Sequence, residues 1–272
     1  MELLPEEIER AQLLEQLADL LRAEGGHTFL TGPLIEPNEK WFPDRWTPDA
    51  AGVERLIRRL LGHADLGALT LTLEIDRFSD AHGEVLSDGR AGGHSGTAAW
   101  FAGIRDGVCS FGVDINQLRD PEGLVGTLAH EVAHAYRTMY EHRVPDHALE
   151  ERLTDLTTVF LGFGVLTVNA SQRFRSGSSG AGASWYSRAE GGYLSMQSMS
   201  YLLAAQVVAR GEPAGDVGRL LTPNQRACFK AAYKELGARD ALLGRLGLPP
   251  AASVPASSDK KGRGWFRRWF TS

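Results

Sequence analysis

The stretch TLAHEVAHAY, residues 127–136, decides the fold class because it predicts a helix built around two histidines. His130 and His134 are four residues apart, so on a helix they lie one turn apart on the same face, and both imidazoles can reach one ion. Glu131 is offset by about 100°, where its carboxylate can address a water molecule on that ion. This spacing is typical of metal-assisted hydrolysis with zinc as the metal and the glutamate as base.

The residues around this stretch favour a buried helix. Asp120-Pro121-Glu122 is a helix start, with a capping carboxylate, then proline at the first helical position, then a further acid. We expect the helix to end near Tyr140. An apolar stripe at helical spacing would bury the side opposite the histidines; it consists of Leu124, Leu128, Val132, Ala135 and Met139.

A second helix is predicted from about Ala148 to Phe163, and it carries ALEERLTD at residues 148–155. Glu151 and Asp155 lie one turn apart on it. With Thr154 and Thr158 they form a narrow polar stripe on an otherwise apolar helix. A pair of buried carboxylates needs a cation or a hydrogen-bond donor to offset its desolvation. The second helix is therefore expected to face the metal.

A catalytic zinc site usually has three protein ligands and one open position. The simplest assignment is one zinc ion per chain, with Glu151 as the third ligand. Asp155 would then accept a hydrogen bond from the free nitrogen of a ligand histidine. Glu150, the neighbour of Glu151, remains an alternative third ligand.

HEVAH followed, after a short loop, by a helix bearing ERLTD resembles the gluzincin branch of the zincin metallopeptidases. In that branch the second helix supplies a glutamate ligand, and in thermolysin-like members an aspartate four residues later orients a histidine. The resemblance covers about residues 98–165. It implies the following roles: ligands His130, His134 and Glu151, base Glu131, and orienting residue Asp155. Glu150 stands where that family has an asparagine, and the stretch between the two motifs is slightly shorter.

The fold expected around these helices is α+β with a zincin-like core, in a single domain spanning residues 1–248. Leu69–Ile75 alternates polar and apolar residues as a half-buried strand does. Ala98–Ile104 and Val108–Ile115 flank Asp106-Gly107, a strong hairpin signal. The predicted order of parts is a helical region 1–68, a β-rich region 69–118, the two site helices within 119–170, a Gly/Ser loop 171–190, and C-terminal helices 191–248.

Additional helices are expected on both sides of the site. Residues 5–24 have helical apolar spacing, which Gly25-Gly26 ends, whereas the proline-rich residues 27–48 are expected to be irregular. The apolar run Leu156–Val168 is predicted to be a buried helix. The remaining predicted helices are Val53–Leu61, Tyr193–Arg210 and Pro223–Leu246.

A hydrolase of this kind needs a donor for the developing oxyanion. Tyr193 is our first choice because it follows the Gly/Ser loop, although a tyrosine packed in the core is the competing interpretation. The other candidates are His147, Arg137 and Tyr201. His94 and His142 are interpreted as ordinary polar loop histidines.

Composition restricts the class of protein. The net charge of −5 gives no electrostatic footprint for nucleic acid. Two cysteines, Cys109 and Cys228, are too few for a disulfide framework, and we expect buried reduced thiols in a reducing compartment. The acidic, amphipathic N-terminus differs from a signal peptide, so a cytoplasmic location is predicted.

The C-terminal residues form a separate region. Residues 249–259 have the composition of a flexible Pro/Ala/Ser linker, and residues 260–272 contain five cations and four aromatic residues. This is the composition of an interfacial anchor for anionic lipid. A disordered solubilising end and docking onto the acidic body are the alternatives.

The function predicted from these features is that of a zinc-dependent hydrolase, most simply a cytoplasmic metallopeptidase acting on a peptide or protein substrate. The alternatives are a non-catalytic zincin-like metal-binding module, membrane-peripheral through the tail, and hydrolysis of a non-peptide amide. Glu131 favours a hydrolase, since a purely structural metal site has no use for a base at that position.

Overall fold

The computed structural model describes residues 2–76, 84–85, 91–92, 98–171 and 193–250. This part of the chain holds ten α-helices and a small three-stranded sheet, so the α+β class is confirmed. The helices are α1 (Glu7–Glu24), α2 (His27–Thr31), α3 (Ala50–His63), α4 (Pro121–Met139), α5 (His147–Phe160), α6 (Gly164–Ala170), α7 (Met196–Arg210), α8 (Ala214–Gly218), α9 (Pro223–Leu236) and α10 (Arg239–Arg245).

The main sheet has the order β1-β5-β4. Its strands are β1 (Thr70–Asp76), β4 (Ala99–Arg105) and β5 (Val108–Asp114). β1 runs parallel to β5, and β4 runs antiparallel to it. A separate two-residue antiparallel pair is formed by β2 (Glu84–Val85) and β3 (Ala91–Gly92). β4 is thus an edge strand of the main sheet in the described structure.

The β4–β5 hairpin forms as the sequence predicts. Asp106 and Gly107 have φ values of 51° and 75°, as a two-residue turn that matches the twist of the strands requires. The register shifts between Phe101 and Gly103, which marks a bulge in β4. The backbone N–H of Asp114 donates to the carbonyl of Ala98. In an antiparallel pair, every second residue hydrogen-bonds to the partner strand. Ala98 bonds to β5, so the N–H and C=O groups of Ala99 and Phe101 point away from β5.

Helix α4 begins where the sequence predicts. The Asp120 side chain accepts a hydrogen bond from the Gly123 N–H at 3.1 Å, and Pro121 is the first helical residue. The predicted apolar stripe is buried except at its last member, Met139, which is 50% exposed. That expectation was wrong for Met139 because full burial ends at Arg137, two residues before the helix does, and residues 139–141 are all exposed.

Two segments that were each predicted to be one continuous helix are broken at a glycine. The run Leu156–Val168 is divided between α5 and α6 at Gly162, whose φ is 85°. A Cβ at Gly162 would lie 2.1 Å from the Pro33 carbonyl oxygen, so the chain must pass there without a side chain. Likewise, the segment predicted as Pro223–Leu246 divides into α9 and α10 at Gly237, with φ of 69°.

Smaller differences occur at other helix ends. The segment 27–48, predicted to be irregular, begins with the short helix α2. Helix α7 begins at Met196 rather than Tyr193, because the side chain of Ser195 caps it by accepting from the Ser198 N–H. Tyr193 therefore lies ahead of the helix, in an extended segment next to α5.

One hydrophobic core joins the two helical regions to the sheet and encloses α4. Cys109 and Cys228 are buried and unpaired, as predicted, and burial raises the pKa of the Cys109 thiol to about 12. In the described residues no helix is both long and apolar enough to cross a membrane. His94, the Gly/Ser loop from residue 172 and the tail from residue 251 lie outside the described residues.

Candidate metal centre

Helices α4 and α5 bring His130, His134 and Glu151 together. Nε2 of His130 lies 3.1 Å from Glu151 Oε2, and Nε2 of His134 lies 3.4 Å from Glu151 Oε1. The candidate ligand atoms of the three residues are all within 4.8 Å of one another. His130 and Glu151 are buried, and His134 is nearly so.

Two of these distances are near those around a tetrahedral ion. Two atoms bound to zinc at about 2.0–2.2 Å with tetrahedral angles lie about 3.3–3.6 Å apart; the Glu151–Nε2 separations of 3.1 and 3.4 Å involve different carboxylate oxygens, and the full spread of the ligand atoms, up to 4.8 Å, would have to contract around an ion. A carboxylate oxygen is only an acceptor, and a ring nitrogen that binds a metal also presents a lone pair. Such atoms converge stably only around a proton or a cation.

Asp155 orients His130. Its Oδ1 lies 2.8 Å from His130 Nδ1, and its Oδ2 accepts a hydrogen bond from the Leu194 N–H at 2.8 Å. Because the carboxylate can only accept, Nδ1 carries the proton and Nε2 faces Glu151. Burial by itself lowers the pKa of His130, but hydrogen bonds and charge from Asp155 and Glu151 outweigh it and raise that pKa well above its usual value.

The pKa of Glu151 is shifted in the opposite direction, downward. Burial favours its neutral form, yet hydrogen bonds from His130 and His134 outweigh burial and hold the pKa of Glu151 far below its usual value. The pKa of His134 is raised, since Glu150 and Glu151 outweigh the effect of burial and of the neighbouring His130. The side chains at the centre are therefore arranged as charged partners around a negative carboxylate.

The Glu150 carboxylate is bound mainly by Arg137 and the Val144 N–H. Arg137 donates to it from Nε at 3.1 Å and from Nη2 at 2.9 Å, and the Val144 N–H donates at 3.0 Å. Its distance to His134 Nδ1 is 3.8 Å. Burial raises the pKa of Glu150, but the contacts with His134, Arg137 and the Val144 N–H outweigh it and lower that pKa to about 2. The geometry favours Glu151 as third ligand and gives Glu150 a different partner.

Glu131 lies beside the centre and is anchored to the sheet. Its Oε2 accepts a hydrogen bond from the Phe101 N–H in β4 at 2.8 Å. Oε1 has no hydrogen bond among the described residues. Burial raises the pKa of Glu131, against the opposing effect of His134 and His130. A carboxylate that is held by one oxygen and has a raised pKa is suited to proton transfer.

The four candidate donors for the oxyanion lie in different surroundings in the structure. Tyr193 lies over the centre, with its ring centroid 5.4 Å from that of His130, and its side chain is 39% exposed. His147 is at the surface, with Nδ1 3.5 Å from Glu151 Oε1. Arg137 is paired with Glu150, as described above. Tyr201 is buried in the core, where burial and Glu235 raise its pKa to about 12.

The pKa of Tyr193 is also raised, by burial and by the charges of Glu151, Glu131 and Asp155. The Tyr193 hydroxyl therefore keeps its proton at neutral pH and can act as a donor. Tyr193 also lines an open cleft of about 560 Å³ between the N-terminal ends of α1, α5 and α7. The cleft is lined in part by Pro5, Glu6, Leu149, Arg152 and Ser198.

Several contacts of this centre, and one outside it, were not predicted from the sequence. Thr154 was placed on the polar stripe but given no role, and its hydroxyl lies 3.1 Å from His134 Nδ1. The hydrogen bond from Phe101 to Glu131 had no signal in the sequence. His142, interpreted as an ordinary loop residue, pairs with Glu24 at the end of α1.

Comparisons of the chain with known protein families, with curated proteins and with solved structures found no match. Function must therefore be inferred from the site itself.

Proposed function

We propose that this chain is a zinc-dependent hydrolase that cleaves peptide bonds. The observation that supports this most directly is the convergence of His130 Nε2, His134 Nε2 and the Glu151 carboxylate, with the Glu131 carboxylate beside them. Two imidazoles and one carboxylate are a donor set found in catalytic zinc sites, which leave a further position for water or substrate.

In this proposal His130, His134 and Glu151 hold the ion. A bound zinc ion would act as a Lewis acid toward a carbonyl oxygen and would acidify water. Asp155 and Thr154 hold the two imidazoles by their Nδ1 atoms and keep the Nε2 atoms turned toward Glu151. The side chains around the ion are thus fixed before substrate arrives.

Glu131 supplies the base. The Phe101 N–H fixes Oε2, so Oε1 is the oxygen available to take a proton from the attacking water and deliver it to the leaving amine. The raised pKa of Glu131 brings it nearer to neutral pH, where both uptake and release of that proton are efficient. Tyr193, with its retained proton, would donate to the oxyanion.

The edge strand β4 favours a peptide as substrate. The Phe101 C=O points away from β5 and can accept from an extended peptide, whereas its N–H already donates to Glu131. Phe101 is also the residue that holds Glu131, so a peptide paired there would place a carbonyl near the base.

Metal content tests the ligand set. We expect about one zinc per chain by plasma mass spectrometry in wild type, Glu131→Gln and Glu150→Gln, and loss of zinc in His134→Ala and Glu151→Gln. Loss in Glu150→Gln with retention in Glu151→Gln would instead make Glu150 the ligand. A wild-type protein that takes up no zinc after refilling would overturn the proposal.

Catalysis is tested by incubating the zinc-loaded protein with a peptide library and identifying products by mass spectrometry. Glu131→Gln is the matched control because it removes the base while leaving the three ligands intact. Cleavage by wild type but not by Glu131→Gln is expected. If both bind zinc and neither cleaves any peptide, the alternative of a non-catalytic metal-binding module takes its place.

A further inference from the structure

Thr154 lies between the two helices of the metal centre and is completely buried. Its hydroxyl oxygen is 3.1 Å from His134 Nδ1. The same hydroxyl is 2.8 Å from the backbone carbonyl oxygen of Glu150, one turn earlier in α5. One hydroxyl thus bridges the backbone of α5 and a candidate ligand on α4.

The direction of these two hydrogen bonds follows from proton counting. A hydroxyl has one proton, and a carbonyl oxygen can only accept, so the Thr154 proton goes to Glu150. Toward His134 the hydroxyl must then be the acceptor, and the ring must donate from Nδ1. A proton on Nδ1 leaves the Nε2 lone pair free on the side of Glu151.

We propose that Thr154 is a positioning residue for His134, which sets the orientation of the ring and the nitrogen that binds zinc. This inference rests on the metal centre proposed above. Thr154 does for His134 what its neighbour Asp155 does for His130, so two consecutive residues of α5 orient the two histidines of α4.

The chemistry of the two orienting residues differs. Asp155 is a carboxylate, whereas Thr154 is neutral and adds no charge to a buried cluster that already holds Glu131 and Glu151. Glu150 cannot take over this role in the present arrangement, because its carboxylate is 3.8 Å from His134 Nδ1 and is bound by Arg137. A distance of that length is beyond a hydrogen bond.

The next turn of α5 supplies a matched control. Thr158 is also completely buried, and its hydroxyl bonds to the backbone carbonyl of Asp155 and to the Thr167 hydroxyl. Neither contact involves a histidine. Thr154→Val and Thr158→Val remove the same group from the same helix, so a general loss of stability affects both, whereas only the first removes the acceptor for His134.

Zinc affinity, measured by competition with a chromophoric chelator, gives the first test. We expect Thr154→Val to weaken zinc binding by roughly 10–100-fold, the range for loss of a residue that orients a ligand. Thr154→Ser, which restores the hydroxyl, and Thr158→Val should remain close to wild type. Equal affinity in Thr154→Val and wild type, or an equal loss in Thr158→Val, would overturn the inference.

Ring NMR of ¹⁵N-histidine-labelled protein gives a second readout. In wild type and Thr154→Ser, the His134 Nδ1–H should be protected from exchange with water, and in Thr154→Val that protection should disappear. This measurement works on metal-free as well as zinc-loaded protein. A wild type that binds no zinc would therefore refute the hydrolase proposal, while the Nδ1–H signal would still decide whether Thr154 holds His134.

Discussion

Glu150→Gln removes the carboxylate that pairs with the buried guanidinium of Arg137. Both side chains are almost wholly inaccessible, and two hydrogen bonds of 3.1 and 2.9 Å join them. Gln keeps the shape of the side chain but leaves the arginine charge without its counter-ion. Breaking a buried pair in this way typically costs about 3–5 kcal/mol.

The pKa of Glu150 changes in the direction expected for such a pair. Contacts with His134, Arg137 and the Val144 N–H lower it from 4.5 to about 2; at about 1.4 kcal/mol per pKa unit this sets an upper bound of roughly 3 kcal/mol of stability at neutral pH, shared among these contacts and reduced by solvent screening. Because the folded pKa is below the unfolded one, this stabilisation is present above pH 4.5. It is lost as the pH falls through about 2, where the folded wild type takes up the proton.

Urea unfolding of the metal-free proteins at several pH values measures both effects. At pH 7 we expect Glu150→Gln to be about 3 kcal/mol less stable than wild type, and the difference should shrink between pH 4.5 and 2. Glu54→Gln is the control, since its pair with Arg58 is exposed and should contribute under about 1 kcal/mol. Equal losses in the two variants at pH 7, or a Glu150→Gln deficit that is unchanged at low pH, would refute the reasoning.

Three further predictions concern packing and the site. Gly126→Ala should lower the free energy of unfolding by about 1–3 kcal/mol, because its Cβ would lie 2.3 Å from a side chain of α6; Gly62→Ala, with nothing within 4 Å, should be neutral or stabilising by up to about 1 kcal/mol in the same urea assay. Asp155→Asn should weaken zinc binding by roughly 10–100-fold in the chelator assay, and unchanged affinity would exclude its role on His130. Tyr193→Phe should keep zinc and lower kcat by about 10²–10³-fold with little change in KM if its hydroxyl stabilises the oxyanion; wild-type kcat would exclude that role.

The elements that the sequence predicts correctly are those with local causes. Asp106-Gly107 adopts the left-handed turn that joins β4 to β5, and Asp120 caps α4 within three residues of itself. The i, i+4 spacing of the two histidines is likewise a property of a single helix. Each of these features needs only neighbouring residues, so each is visible in the printed sequence.

The helix breaks at Gly162 and Gly237 could not be predicted in the same way. A glycine within an apolar helical pattern is tolerated at a cost of about 1 kcal/mol, so the pattern alone does not say whether the helix continues. At Gly162 the deciding contact is with the Pro33 carbonyl, well over a hundred residues away in the chain. The burial of α4, which stops short of Met139, also depends on where other elements end.

The same distinction between local and tertiary causes applies to the candidate site. Spacing within two helices places His130, His134, Glu151 and Asp155 on facing stripes. The partners that give the site its chemistry come from elsewhere: Phe101 in β4 holds Glu131 across 30 positions, and Leu194 holds Asp155 across 39. Such contacts follow from tertiary packing, and sequence spacing carries no information about them.

Charge and hydrogen bonding together limit what the centre can hold. With Nδ1 of each histidine directed at Asp155 or Thr154, the two Nε2 atoms face the Glu151 carboxylate. Protons can occupy those positions: Asp155 and Glu151 raise the pKa of His130, and Glu150 and Glu151 raise that of His134 although the charge of His130 opposes it. A divalent cation bound to the neutral rings carries the same charge as the two protons it displaces. The buried cluster therefore has the same total charge with two protons as with one divalent cation. The packing of α4 against α5 that accommodates the protonated cluster can accommodate the metal-bound cluster as well.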